Sequence, residues 1–149
     1  MNKNIYKLIL VAIILLIFLI NNPYKIIIVQ GNSMFPTYKN NQILLARKTV
    51  NLRKNDVVVL CVENEIILKR VIYTEGESIY YYFDDEKYYV ENDYESVHNF
   101  LMLNNGLELH SMRVPKNYFY VLGDNKNESD DSRRFGLINR RDIFYKVID

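Results

Sequence analysis

The sequence predicts a mainly β fold: an antiparallel, barrel- or sandwich-like domain with a small β-hairpin excursion, preceded by one transmembrane helix. Three observations carry this expectation. Short runs of β-branched and aromatic residues repeat past residue 40, separated by polar turns. No segment past the N-terminus keeps a helical period over a useful length. The N-terminal stretch Leu8–Ile20, by contrast, contains no charge, glycine or proline. At 149 residues and 49% hydrophobic content, the chain suits one domain of ordinary size plus a tail.

Ile5–Ile20 as a helix rises about 24 Å, slightly short of the ~30 Å hydrocarbon slab. Lys7 can snorkel, and Tyr24 with the Ile26–Val29 run can extend the apolar contact. Asn21-Asn22-Pro23-Tyr24-Lys25 offers no small-x-small cleavage site, which favours an uncleaved anchor over a secretory signal peptide. Lys3 and Lys7 lie before the uncharged run, so the N-terminus is expected in the cytoplasm. The expected organisation is therefore a cytoplasmic N-terminus and transmembrane anchor over residues 1–25. An extracytoplasmic β-rich domain follows over residues 26–149, with about 73–115 as a small inserted region. The expected location is the cell membrane, crossed once.

The candidate strands are Gln42–Ala46, Val57–Val62, Ile66–Ile72, Ile79–Phe83, Lys87–Val90, Tyr118–Leu122 and Ile143–Val147. Glu63-Asn64-Glu65 reads as a hairpin turn, and Asp84-Asp85-Glu86 as a second one between two tyrosine-rich strands. The paired aromatics there favour cross-strand contacts, though tyrosines also suit a membrane interface. Residues 91–113 are richer in Asn, Glu and Ser and read as a less regular excursion.

Net charge is +1, and Lys3, Lys7 and Lys25 supply more than that, leaving about −2 on the rest. This is no basic nucleic-acid surface. Cys61 is the only cysteine and sits in Val57–Val62, where a buried, inert thiol is expected. His98 and His110 stand apart among polar neighbours, and no His/Cys/carboxylate cluster has metal-ligand spacing. No metal and no cofactor is expected.

Chemistry concentrates in three segments. Gly31-Asn32-Ser33-Met34-Phe35-Pro36-Thr37 sets one of only five glycines and one of only three prolines around a serine. Gly31 can take positive φ, and Pro36 pushes Phe35 toward extended geometry, so Ser33 sits in a rigid loop. The plainer alternative is a linker turn after the anchor. In Ile66-Ile67-Leu68-Lys69-Arg70-Val71-Ile72, two-residue alternation puts Ile67, Lys69 and Val71 on one face. An amine pinned there is desolvated, which lowers its pKa and lets it act as a base toward a serine hydroxyl. The alternative is two exposed charges on an edge strand; a Ser-His-Asp triad through His98 or His110 is the weaker route. The third segment, Gly123–Gly136, crowds Asn, Asp, Ser and Arg between two glycines. A serine there can orient the amine, and an Asp–Arg pair can fix the loop.

Together these three segments resemble three boxes of bacterial type I signal peptidases, in the family's order and behind a single anchor. The resemblance implies a membrane-bound serine endopeptidase that cleaves signal peptides from exported preproteins. It implies Ser33 as nucleophile, Lys69 as general base, Ser129 as the hydroxyl orienting the amine, and Asp131 with Arg133 as the pair holding the third box. The Ser33 backbone N–H is the implied oxyanion donor, while Met34 and Pro36 are expected at the substrate pocket or packed beside the dyad. Implied partners are signal peptides and membrane lipid, with the secretion translocon and pilins as further candidates. Alternatives are a peptidase specialised for a narrow set such as pilins, a self-cleaving repressor relative, and an inactive anchored binding module.

The chain departs from the family at Tyr73-Thr74-Glu75-Gly76-Glu77, where Gly-Leu-Pro-Gly-Asp is usual. Asn55 stands for a glycine in Asn55-Asp56-Val57-Val58, a mild exchange because Asn tolerates the left-handed region. Lys126 stands for the usual arginine of the third box.

Overall fold

The computed structural model describes residues 3–48, 51–84, 87–91, 98–99, 102 and 108–148. Helix α1 runs Lys3–Ile20 and is followed directly by strand β1, Tyr24–Ile28. The remaining strands are β2 (Ile43–Arg47), β3 (Val57–Val62), β4 (Glu65–Tyr73), β5 (Ser78–Asp84), β6 (Lys87–Glu91), β7 (His110–Arg113), β8 (Tyr118–Leu122), β9 (Ile138–Asn139) and β10 (Ile143–Ile148). A short helix α2, Ser132–Phe135, and a 3-10 turn at Arg140–Asp142 complete the described elements.

The mainly β, antiparallel expectation holds. A seven-stranded sheet has the order β1-β2-β10-β3-β4-β8-β9, and a three-stranded sheet the order β6-β5-β7. The large sheet is open, with β1 and β9 as its edges, rather than a ladder closed into a barrel. β4 and β8 are neighbours in the large sheet, and the chain between them forms the small one.

Seven expected strands are present, two of them to the residue and the rest with ends shifted by no more than one, and the Glu63–Asn64 turn forms with both residues at positive φ. Three strands were not anticipated. β7 lies inside the supposed irregular excursion, and β9 is too short to show alternation. β1 was not anticipated as a strand: Tyr24–Ile28 does not continue the helix but pairs with β2 from Tyr24↔Arg47 to Ile28↔Ile43. Among the described residues no helix is long and apolar enough to cross a membrane, and α1 has only 18 residues. The second expected hairpin turn and most of 91–113 lie outside the described residues.

β-branched residues fill the interior because pleated strands seat them well. One cluster joins Val58, Leu60, Val71, Phe119, Val121, Ile138 and Ile143; a second joins Val29, Met34, Tyr38, Leu44, Val57 and Val147. A third, around Tyr73, Ile79, Val114 and Tyr120, continues the core toward the small sheet. Cys61 corrects the expectation of a buried thiol: it is only half-buried, since β3 approaches its turn there and its burial lapses.

The far end of the large sheet is unusual. Ile26, Ile28, Ile43 and Leu45 are all strongly exposed, as is Ile148, and the registers Ile26↔Leu45, Ile28↔Ile43 and Ile148↔Leu45 place them in adjoining rows. The same alternation that buries Leu44 and Ala46 turns these residues outward.

Leu60 is fully buried among Val58, Val71 and Ile143, so Leu60→Ala should cost about 2–5 kcal/mol. Ile43→Ala, on the exposed face, should stay within about 0.5 kcal/mol. Urea melts with an unchanged m-value check both.

Candidate active site

Ser33 sits in the turn after β1. Gly31 takes φ 79° there, as anticipated, and its N–H donates to Asn40 Oδ1 at 2.9 Å. The turn is closed by Phe35 N–H to Asn32 O at 3.0 Å and Tyr38 N–H to Met34 O at 2.9 Å. Met34 and Tyr38 drive it into the second core cluster, leaving Ser33 partly exposed above. The Phe35–Pro36 bond is cis.

β4 delivers the amine. Lys69, Val71 and Tyr73 are buried and alternate with half-buried residues, so Lys69 points inward as the pattern predicted. Its side chain is 3% exposed, and Nζ donates to Ser33 Oγ at 3.0 Å. Burial lowers the Lys69 pKa; the nearby Asp131 and Asp130 carboxylates oppose this without reversing it, and Arg133 adds to the lowering.

Arg70 points the other way on the same strand. Its guanidinium grips Asp124 bidentately, Nε to Oδ1 at 2.8 Å and Nη2 to Oδ2 at 2.7 Å, and Nη1 donates to Asn55 O at 2.9 Å. Burial pushes the Asp124 carboxyl up, but the Arg70 fork and the Thr37 hydroxyl outweigh it and hold the group below its usual range. Asn55 takes φ 72°, so the replaced glycine position keeps its left-handed backbone. One residue further, Asn125 N–H donates to Ser33 O at 3.0 Å, tying the third segment directly to the serine turn. Sequence reading missed Arg70, Asp124 and Asn125, because a contact between segments over fifty positions apart leaves no local mark.

Asp131 is fully buried and accepts from Gly123 N–H at 3.0 Å, from Arg133 N–H at 3.2 Å and from the Arg133 guanidinium twice at 2.8 Å. Burial raises its pKa, and Arg133, the Gly123 N–H and the neighbouring Ser129 hydroxyl together bring it below the usual carboxylate range. Ser132 Oγ is also buried and accepts the Val121 N–H at 3.0 Å, which pins α2 to β8.

Ser129 lines the same hollow as Ser33 and Lys69, of about 480 Å³, together with Ile67, Asn127, Glu128 and Asp130. Its Oγ is buried and forms no hydrogen bond of good geometry, and none to the Lys69 amine. The Ser129 main-chain oxygen accepts from Arg133 Nη2 at 3.3 Å. Gly123 makes this approach possible, since a Cβ there would stand 2.5 Å from Ser129 Cβ and 2.6 Å from Ser33 O.

A second hollow of about 280 Å³ opens on the other side of the dyad, where Ile28, Met34, Val59, Ile67 and Leu68 supply apolar wall. The structure thus brings together Ser33, Lys69, Met34, Ser129, Asp131 and Arg133. Pro36 is the exception: it is exposed and lines neither hollow. His98 and His110 line neither hollow, and His110 stacks on Tyr81 at 5.4 Å.

The family described as signal peptidase, peptidase S26, matches residues 2–148. This chain belongs to that family. It is a serine protease of the signal peptidase I type, as the three boxes implied. Signal peptidase I P of Bacillus subtilis subsp. natto is 33% identical, covering 92% of this chain and 82% of the relative. Signal peptidase I T of Bacillus subtilis strain 168 is 31% identical, over 89% of this chain and 76% of the relative. A relative named inactive signal peptidase IA, from Staphylococcus aureus strain Mu50, is also 31% identical, over 99% and 91%. A crystal structure of a signal peptidase I from Enterococcus faecalis V583 covers 67% of this chain and 98% of its own, with 22% identity and a TM-score of 0.44.

Gly123→Ala should lower kcat/KM at least about a hundredfold by pushing Ser129 and Ser33 apart. Gly136→Ala, with open space but φ 75°, should leave kcat/KM near wild type and cost about 1 kcal/mol in a melt. Acid sensitivity checks the Asp131–Arg133 pair. The folded pKa of Asp131 lies below its unfolded value, so stability present above about pH 4 is lost as pH falls through the lowered value. Asp131→Asn should be less stable at neutral pH, with a flatter acid limb.

Proposed function

We propose that this chain is a membrane-anchored endopeptidase that removes N-terminal signal peptides from exported proteins through a Ser33–Lys69 dyad. The observation that carries it is the 3.0 Å contact between the Ser33 hydroxyl and an amine kept almost wholly from water. Relatives from several Staphylococcus aureus strains bear the name inactive signal peptidase IA, so the contact within this chain's own site adds support beyond family membership. Here nucleophile and base are both present and touching.

In the neutral state the contact reverses, with the Ser33 hydroxyl donating to Lys69 Nζ. The amine takes the proton as Oγ attacks the scissile carbonyl. The resulting ammonium passes that proton to the leaving amine, and an acyl-enzyme remains. Lys69 then takes a proton from water as the water attacks the ester, and returns it to Oγ on release. The Ser33 backbone N–H is assigned to the oxyanion. Ser129 aligns the amine once substrate excludes water from the shared hollow, while the Asp131–Arg133 pair braces the loop that carries it.

Substrate enters as an extended segment beside the edge of the large sheet, where Ile27–Gln30 border the apolar hollow next to Ser33. About 280 Å³ shared between subsites suits small side chains before the cleaved bond.

Attachment to the membrane rests on α1 and the exposed face of β1 and β2. Ile5, Leu8, Ile9, Leu10, Val11 and Ile14 are exposed around the helix, leaving no polar side to face water. An 18-residue helix rises about 27 Å, and a mismatch of a few ångströms is met by bilayer thinning and by snorkelling of Lys7. With Lys3 and Lys7 at its start, the N-terminus stays cytoplasmic and the β domain lies outside.

Ser33→Ala and Lys69→Ala in the full chain should each reduce kcat/KM on a preprotein by about a thousandfold or more. Undiminished cleavage by Lys69→Ala rejects the base assignment. Because only the neutral amine accepts the proton, kcat/KM should climb with pH through a midpoint below the usual ~10.4 of lysine. Lys69→Arg should stay inactive at every pH tested, since a guanidinium does not deprotonate.

A further inference from the structure

We infer that the pocket beside Arg47, at the end of β2 and β10, binds the phosphate headgroup of an anionic membrane lipid. This inference rests on the membrane reading above and adds to it a specific lipid site. The pocket has a volume of about 540 Å³ and shares no residue with the two hollows at the dyad. Arg47, Arg53 and Lys146 line it against a single carboxylate, Asp56.

That carboxylate is already committed. It pairs with Lys146 Nζ at 2.6 Å and accepts the Arg53 N–H at 2.8 Å. No described carboxylate forms an ion pair with Arg47 or Arg53, so the pocket they line carries two cations that the Asp56–Lys146 pair does not offset. Planar guanidinium forks match phosphate oxygens bidentately. Val147 and Ile148 complete the wall with apolar surface, which a free anion would not use and a glycerol or acyl chain would.

Position separates a lipid from a soluble anion. Arg47 pairs in register with Tyr24 on one side and Lys146 on the other. The next rows on the same face are Ile26, Leu45 and Ile148, then Ile28 and Ile43, all exposed. Two apolar rows ending in a cationic row are the layout of a surface lying at the acyl–headgroup boundary. The chain also emerges from α1 at this point, where Lys48 N–H donates to Pro23 O at 2.8 Å and fastens the start of β1 to the end of β2. A cationic pocket next to the exit of an apolar helix sits at the depth of lipid phosphates.

The test uses the full chain in neutral maltoside detergent, with lipid adducts counted by native mass spectrometry. Wild type should retain dioleoyl phosphatidylglycerol over dioleoyl phosphatidylcholine by about tenfold, and Arg47→Gln/Arg53→Gln should lose that preference. The double variant should keep its melting temperature and its cleavage of a peptide substrate in detergent; if it does not fold, each single variant should lose part of the preference. Equal preference in wild type and variants overturns the inference. So does full displacement of phosphatidylglycerol by equimolar inorganic phosphate, which would make the pocket a soluble-anion site. Flotation with pure phosphatidylcholine vesicles after alkaline washing isolates the underlying reading. A chain that floats but shows no headgroup preference sinks the lipid site alone, and one that never floats sinks both.

Discussion

A lysine amine held out of water against a serine hydroxyl is the constraint around which this molecule is arranged. An isolated ammonium at 3% exposure is costly to bury, and the neutral form escapes most of that cost. Strand β4 imposes the burial by alternation alone, because Lys69 falls on the same face as Val71 and Tyr73. Moving the amine outward would require moving the residues that fill two core clusters. Burial is the largest cause of the lowered amine pKa and Arg133 adds to it, while the Asp131 and Asp130 carboxylates push the other way.

The loops around the dyad are braced against one another more than against solvent. The Asn125 N–H holds the Ser33 carbonyl, the Arg70 fork holds Asp124, and Asp131 satisfies one backbone N–H at each end of its own loop along with the Arg133 guanidinium. A fully buried carboxylate with four such donors is satisfied rather than orphaned, which is the condition for tolerating it inside a small domain. Gly123 is where this bracing is tight, with the Ser129 side chain and the Ser33 carbonyl both crowding the space a Cβ would take.

Much of this was legible in the sequence, and the reasons differ by element. Central strands such as Val57–Val62 and Tyr118–Leu122 were readable to the residue, since unbroken β-branched and aromatic runs bounded by polar turns have few other solutions. Ser33 and the Gly123–Gly136 segment stood out because the scarce glycines and prolines were concentrated there. β1 was misread because Ile26–Ile28 is as apolar as the helix before it, and only pairing with β2 separates strand from span. The inward face of Lys69 followed from period-two spacing, whereas its neighbour's grip on Asp124 did not, because that bond joins distant segments. Pro36 was expected at the substrate pocket or packed beside the dyad, and the turn leaves it exposed at the surface.

Lys69 and Arg70 are consecutive, and the pleat sends one inward to the hydroxyl and the other outward to a carboxylate. Sliding β4 by a single position against β3 and β8 would exchange them, setting a permanently charged guanidinium in the dry niche and leaving Asp124 without its fork. On the proposed mechanism, hydrolytic competence is a property of how three strands are aligned. Any change that loosens that alignment, however remote from the serine, would be felt as chemistry before it is felt as unfolding.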